Sequence, residues 1–177
     1  GIRGCAGYLY KKNIQPPAAL FVGGGHEDGV RSGTENTMGI AAMAAALEHC
    51  HQKLISDPSY LHQSRQLLIS KISEHCDVQI LGPEDEQLCS GAIISLVVKE
   101  VRAEPFLHQL ETHNIFIGSG SACNSHGHSE SEILAAIELP QELRNSVLRI
   151  SFSDAVAEKS ALRVATAMAL AAAFFKG

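Results

Sequence analysis

The spacing of apolar residues predicts helices in the first half of the chain. Residues 37–53 are dense in Ala, Met and Leu, which are good helix formers, and their polar end indicates emergence into solvent. Asp57 and Pro58 interrupt this pattern. A second amphipathic helix is expected to run to about His75, with Asp57 as its N-cap and Pro58 at its first position. A glycine-rich stretch, residues 23–36, is expected to form a long loop before the first helix.

The apolar period changes after residue 77. Short apolar or β-branched runs are typical of strands, and they occur at 78–81, 92–98, 115–117 and 147–152, with the end of a further strand at 7–10. Helical patterns lie between and after these runs, at 103–112, 129–137 and 153–175. Strands that alternate with helices in this way predict an α/β or α+β fold in which helices cover one face of a small sheet.

Composition and charge narrow the function classes. With 177 residues, of which 45% are hydrophobic and 19% charged, the chain can bury a core and corresponds to one domain or a domain and a half. The net charge of -5, with Lys and Arg scattered, argues against a nucleic-acid surface, which normally shows a basic patch. The longest charge-free apolar run near the carboxyl end, residues 164–175, is shorter than the roughly 20 residues that a membrane span needs. We therefore expect a soluble protein with small-molecule or protein partners.

Cysteine usage and the amino end indicate an intracellular protein. No C-x-x-C pair and no secretory signal is present, so neither a disulfide framework nor a zinc ribbon is predicted. The five cysteines are widely spaced, at positions 5, 50, 76, 89 and 123. Gly1 stands where an initiator Met would, so the chain is expected to be a fragment or a proteolytic product of a longer one.

Cys123 lies in a glycine-serine loop, residues 118–128, between a predicted strand and a predicted helix. A thiol acts as a nucleophile through its thiolate, which a neighbouring imidazolium or helix N-terminus favours, and His126 and His128 are candidates for that role. A lone surface cysteine is an alternative. A metal site with Glu130 is another, although ligands crowded into so few residues are uncommon in structural zinc sites.

Two further residues are candidates for binding charged groups. Thr34 follows a glycine-rich loop just before a predicted helix, where a hydroxyl and backbone N–H groups can hold a phosphate. It is also a good N-cap, and the loop alone favours that structural role. Arg149 interrupts an apolar strand, and it either points to solvent or holds a carboxylate through two hydrogen bonds.

Four short stretches occur in an order that resembles one enzyme family. They read GGGHE at 23–27, RSGTEN at 31–36, SGSAC at 119–123 and LRISF at 148–152. Together they resemble the cysteine desulfurases and the similar selenocysteine lyases, which are pyridoxal-phosphate enzymes of fold type I, class V aminotransferase-like. The resemblance covers essentially the whole chain. It implies the carboxyl-terminal half of such an enzyme, with the end of the large domain at 1–55 and the small domain at 56–177.

The resemblance implies a role for each candidate residue. Cys123 would take sulfur from the substrate as a persulfide, and Arg149 would bind the substrate α-carboxylate. Thr34 would donate its hydroxyl to the cofactor phosphate in the partner subunit of a homodimer. Pyridoxal 5'-phosphate would supply the electron sink that makes the Cβ–S bond cleavable.

The resemblance also implies what the chain lacks. No residue matches the family's cofactor lysine, its ring-stacking histidine or its pyridine-binding aspartate, and Lys11 and Lys12 follow the matching segment and are not substitutes. The full-length protein is therefore expected to be the enzyme, and the chain alone is expected to be inactive.

The implied activity is conversion of L-cysteine to L-alanine, with the sulfur passed to an acceptor or scaffold protein for iron–sulfur clusters, thio-cofactors or tRNA thiolation. Two alternatives stay open: a lyase that acts on L-selenocysteine, and a non-catalytic module that docks a sulfur acceptor. A cytoplasmic location is expected, or a mitochondrial one if a missing amino-terminal part carries a targeting peptide.

Overall fold

The structure is a computed structural model that describes residues 3–83, 85–120 and 132–176. The chain divides into two compact units, Gly1–Pro58 and Ser59–Gly177. A long helix dominates the first unit. The second unit contains a four-stranded sheet covered by helices.

In the first unit, helix α1 extends from Thr37 to Ser56 and confirms the first predicted helix. Its N-cap is Asn36, whose side-chain oxygen accepts a hydrogen bond from the Gly39 N–H at 3.0 Å. Asp57 ends this helix by donating its backbone N–H to the Lys53 carbonyl, so the prediction that Asp57 caps the following helix is wrong. The predicted strand end at 7–10 is also wrong, because these residues lie in no strand.

The second unit begins with helix α2, Tyr60–His75, whose N-cap is Ser59, so Pro58 precedes the helix instead of starting it. The remaining helices are α3 (Ala103–Glu111), α4 (Glu132–Ala136), α5 (Gln141–Arg144) and α6 (Glu158–Lys176). The strands are β1 (Val78–Leu81), β2 (Ile93–Val98), β3 (Gly118–Ser119) and β4 (Val147–Ser151). They form one antiparallel sheet in the order β1-β2-β4-β3.

The predicted strand at 115–117 is wrong, because the strand of this region is β3. The chain stays hydrogen-bonded to the last turn of α3 as far as Ile115, because the Ile115 N–H donates to the Leu110 carbonyl at 3.2 Å. Asn114 has a φ of 54°, which reverses the chain direction there. Pairing therefore starts only at Gly118, where the chain reaches the edge of β4.

The main core lies between one face of the sheet and helices α2, α3 and α6. The largest fully buried side chains are Phe106, Ile72, Ile94, Leu96, Leu110, Leu148, Met168 and Val97. Burying a side chain of this size stabilises the fold by about 1.5–3 kcal/mol. The buried face of α6 is rich in alanine, with Ala161, Ala165 and Ala171 fully covered, which permits its close packing against α2. This architecture confirms the predicted fold class of helices packed on a small sheet.

Among the described residues, the opposite face of the sheet is covered at one end. There the paired residues Val97 and Val147 pack with Leu134 and Leu139 in a second, smaller buried cluster. The neighbouring position on β4, Arg149, is exposed. No described residue therefore covers this part of the face.

Helix α6 begins five residues later than the sequence pattern predicts. The segment before it is held out of the helix by two hydrogen bonds. The Asp154 carboxylate accepts from the Ala155 N–H, and the Val156 N–H donates to the Ser64 hydroxyl of α2 at 2.9 Å. The predicted start of α4 at residue 129 lies outside the described residues. None of the helices in the described ranges combines the length and the apolar character that a membrane span requires.

Candidate functional site

Arg149 lies in the middle of β4, on the face of the sheet opposite the main core. It pairs with Ser95 of β2 on one side and with Gly118 of β3 on the other, so its backbone is fixed by two neighbouring strands. Its side chain is exposed and has no hydrogen-bond or ion-pair partner among the described residues. A guanidinium that is held on a rigid strand and is not paired within that part of the chain is suited to bind an anionic ligand.

The edge strand β3 leaves space beside this arginine. A Cβ atom added at Gly118 would lie 3.6 Å from Arg149 Nη2 and 3.7 Å from its Nε. Two residues further along the chain, the Gly120 N–H donates a hydrogen bond to the Val147 carbonyl at 2.8 Å. In the sequence these glycines stand out only as part of a glycine-serine loop, and their position in the stretch that leads to the cysteine is the one signal of a further role.

Cys123, His126, His128 and Glu130 lie outside the described residues, so the nucleophile and metal hypotheses for them stay predictions. The structure describes the segment of chain just before them, in which β3 ends at Ser119, four residues before the cysteine. Of the other cysteines, Cys50 is exposed on α1 and the remaining three are half-buried. Within the described ranges, no three potential metal-binding side chains cluster together.

The glycine-rich loop before α1 has a defined internal structure. Ser32 makes two hydrogen bonds that stabilise the loop. Its N–H donates to the Phe21 carbonyl at 3.1 Å and its hydroxyl donates to the Gly24 carbonyl at 2.8 Å. Gly33 has a φ of 110°, which favours glycine, and a Cβ there would lie 2.7 Å from Arg31 Nη1. The loop therefore has a defined backbone conformation up to Thr34.

Thr34 is exposed, and its hydroxyl has no partner among the described residues. The alternative role of Thr34 as the N-cap of α1 is wrong, because Asn36 makes that cap. The hydroxyl is thus available just before the N-terminus of a long helix, where the helix dipole favours a phosphate. This arrangement fits the phosphate group of a cofactor.

The comparisons with known sequences agree on one family. A sequence model of the family described as aminotransferase class-V matches residues 24–161. A relative in Lactobacillus delbrueckii subsp. bulgaricus, named NifS/IcsS protein homolog, is 33% identical over 84% of this chain and 38% of its own length. Cysteine desulfurase IscS of Clostridium botulinum is 33% identical over 82% of this chain and 37% of its own length. The chain therefore spans less than half the length of the curated relatives it matches.

Two solved structures have a similar fold. A NifS-like protein superposes with a TM-score of 0.73 at 22% identity, over 94% of this chain and 41% of that protein. A NifS-like protein from Rickettsia africae superposes with a TM-score of 0.68 at 24% identity, over 87% of this chain and 39% of that protein. At these identities the likeness concerns the fold alone, and it confirms the fold class predicted from the sequence.

Proposed function

The chain belongs to the aminotransferase class-V family, and from that premise we propose that it forms the carboxyl-terminal part of a pyridoxal-phosphate-dependent cysteine desulfurase. The observation that carries the proposal is the Arg149 guanidinium, exposed on a rigid strand beside the strand that leads to Cys123. The relatives named cysteine desulfurase support the choice of reaction. In this proposal residues 1–55 complete the large domain and residues 56–177 form the small domain.

In this proposal the chain would hold one part of the cofactor, its phosphate group. The Thr34 hydroxyl would hold the cofactor phosphate, and in a homodimer it would do so for the site of the partner subunit. When bound, pyridoxal 5'-phosphate supplies the electron sink for cleavage of the Cβ–S bond. Because no residue of the chain matches a cofactor lysine, residues 1–177 alone are expected to release no sulfur.

Arg149 would bind and orient the substrate. Its planar guanidinium can donate two parallel hydrogen bonds to the α-carboxylate of L-cysteine, which fixes both the position and the rotation of the amino acid. The exposed face of the sheet leaves room for the ligand on the side where the arginine has no partner among the described residues.

Cys123 would accept the sulfur as a thiolate nucleophile. A new S–S bond forms between its Sγ and the substrate sulfur while the Cβ–S bond of the substrate breaks. The electron pair of that bond stays with the carbon skeleton, which gains a proton and leaves as L-alanine. Cys123 then carries a persulfide that an acceptor protein can receive.

Mass spectrometry of the Cys123 peptide tests this proposal. The full-length protein is incubated with pyridoxal phosphate and L-cysteine, and a gain of one sulfur atom on that peptide is expected. Cys123→Ser removes the gain, whereas Cys50→Ser, a change at an exposed cysteine of α1, leaves it intact. Sulfide release that persists in Cys123→Ser, without any adduct in the wild type, contradicts the persulfide step. Release of selenide from L-selenocysteine with none of sulfide from L-cysteine makes the protein a lyase instead.

A further inference from the structure

We infer that Gly118 and Gly120 are positioning residues for Arg149: the first leaves the space in which the guanidinium lies, and the second keeps β3 in register against β4. This inference rests on the carboxylate-binding role proposed for Arg149. It assigns to the glycine-serine stretch a task that is separate from carrying the cysteine.

Gly118 lies directly opposite Arg149 in the sheet. Side chains of directly paired residues stand on the same face with Cβ atoms about 4.5–5.5 Å apart, so a side chain at position 118 would compete with the arginine for the same space. The guanidinium lies within 3.6 Å of the place where that Cβ would be. An alanine methyl would make an ordinary van der Waals contact there, whereas a leucine side chain would overlap the guanidinium.

Gly120 is in tighter contact than Gly118. A Cβ added at this position would lie 2.6 Å from Val147 Cγ1 and 2.8 Å from Val147 Cβ. Rotation of the valine side chain relieves the first contact and leaves the second, because a Cβ is fixed to its backbone. Val147 is also only 2% exposed and packs in the second buried cluster, so it has little room to retreat.

A side chain at position 120 would therefore move β3 instead of β4. The hydrogen bond from the Gly120 N–H to the Val147 carbonyl would lengthen, and among the described residues β3 pairs with β4 at just two positions, which resist the displacement weakly. The first of these is Gly118, so the space beside Arg149 would change with it. A bidentate contact with a carboxylate depends on the exact direction of the guanidinium, which makes it sensitive to such a shift.

The test compares L-cysteine with L-cysteinamide, which lacks the charged carboxylate, as substrates of the full-length enzyme. The wild type is expected to have a lower KM for L-cysteine, and Gly118→Leu to reduce this preference by about tenfold, the scale of one charge-assisted hydrogen bond. Gly120→Ala is expected to reduce it in the same direction. Gly118→Ala is the conservative variant and should keep the preference, because its methyl fits beside the guanidinium.

Gly91→Ala is the matched control. A Cβ at this buried glycine would lie 2.9 Å from Leu61 Cβ and 3.0 Å from the His62 backbone nitrogen, a crowding similar to that at Gly120. It contacts α2 and not β3, so it should lower thermal stability without changing the ratio of the two KM values. An equal loss of preference in Gly91→Ala would mean that general destabilisation is the cause, and it would overturn the inference.

A crystal structure of Gly118→Leu separates failure of this inference from failure of the proposed function. A displaced Arg149 guanidinium supports the positioning role whatever reaction the enzyme performs, and a guanidinium in its wild-type place overturns it. A wild-type enzyme that releases no sulfur from L-cysteine overturns the proposed function alone. An unchanged substrate preference in both Gly118→Leu and Gly120→Ala overturns the inference alone.

Discussion

The two units of the chain are stabilised in different ways. In the second unit, described at 59–83, 85–120 and 132–176, strand and helix residues form a large buried apolar cluster and a second, smaller one. In the part described at 3–58, the one residue that is buried is Gly39. The second unit therefore draws its stability from tertiary packing, whereas the first depends on local hydrogen bonds and on its long helix.

The first unit exposes many large apolar side chains relative to its size. Those exposed within its described residues are Tyr8, Leu9, Tyr10, Ile14, Leu20, Phe21, Val22, Met38, Ile40, Leu47, Leu54 and Ile55. Most helical stability in proteins comes from packing of an apolar face, and α1 buries no residue other than Gly39 among those described. The second unit therefore buries enough apolar surface to sustain its own fold, whereas the first unit needs other structure against its exposed apolar side chains.

Separating the two units is expected to have the largest effect on folding stability. Residues 59–177 expressed alone should unfold cooperatively on heating, because they contain both buried clusters. Residues 1–58 alone should show no cooperative transition. Thermal scans by far-ultraviolet circular dichroism measure both, and a cooperative transition in residues 1–58 would contradict the comparison.

Truncation of a core side chain is expected to have the next largest effect. Phe106 of α3 is fully buried, and Phe106→Ala should lower the free energy of unfolding by about 3–5 kcal/mol because it removes apolar contact and leaves a cavity. Phe116→Ala is the matched control, since that ring is 75% exposed, and it should change the same quantity by less than about 0.5 kcal/mol. Similar losses for the two variants, measured by urea denaturation, would refute the assignment of the core.

In the first unit, a cap should matter more than any side-chain burial. Asn36→Ala removes the acceptor of the Gly39 N–H and should cost about 1 kcal/mol of local helix stability, or roughly fivefold faster exchange of that amide with solvent. Hydrogen exchange followed by NMR measures this rate. Thr34→Ala should leave it unchanged, and acceleration by Thr34→Ala instead would restore Thr34 as the cap.

The smallest effect is expected at the surface of α2. The Glu74 carboxylate accepts hydrogen bonds from the Ser70 hydroxyl and the Lys71 ammonium. Both lower the pKa of Glu74 below its usual value, and the Ser70 hydrogen bond has the larger effect. A carboxyl group with a lowered pKa in the folded state adds stability above its unfolded pKa, and this stability is lost as the pH falls through the folded value. Ser70→Ala should raise the pKa of Glu74 in an NMR titration, whereas Ser56→Ala should not.

The sequence pattern predicted most of the elements of both units. Its errors are several element ends, the strands predicted at 7–10 and 115–117, and helix α5, which it did not predict. Strands β1, β2 and β4 were within one residue of their predicted bounds, because each has a run of apolar or β-branched residues between turn residues. The strand predicted at 115–117 was misplaced, because apolar content there reflects burial of Ile115 in the core and not pairing in the sheet. The late start of α6 depends on the Ser64 hydroxyl, which is 92 residues away in sequence from its partner Val156.

For the candidate site, the sequence by itself determined the kinds of residue and the family, through the RSGTEN, SGSAC and LRISF stretches. Candidate catalytic and binding residues can be recognised in a sequence because short motifs record their types and their order. Only the tertiary structure decided that Gly118 lies beside the Arg149 guanidinium, that Gly120 touches Val147 and that Asn36 caps α1 in place of Thr34. Pairing between strands and the direction of a side chain depend on residues distant along the chain, so no local pattern records them.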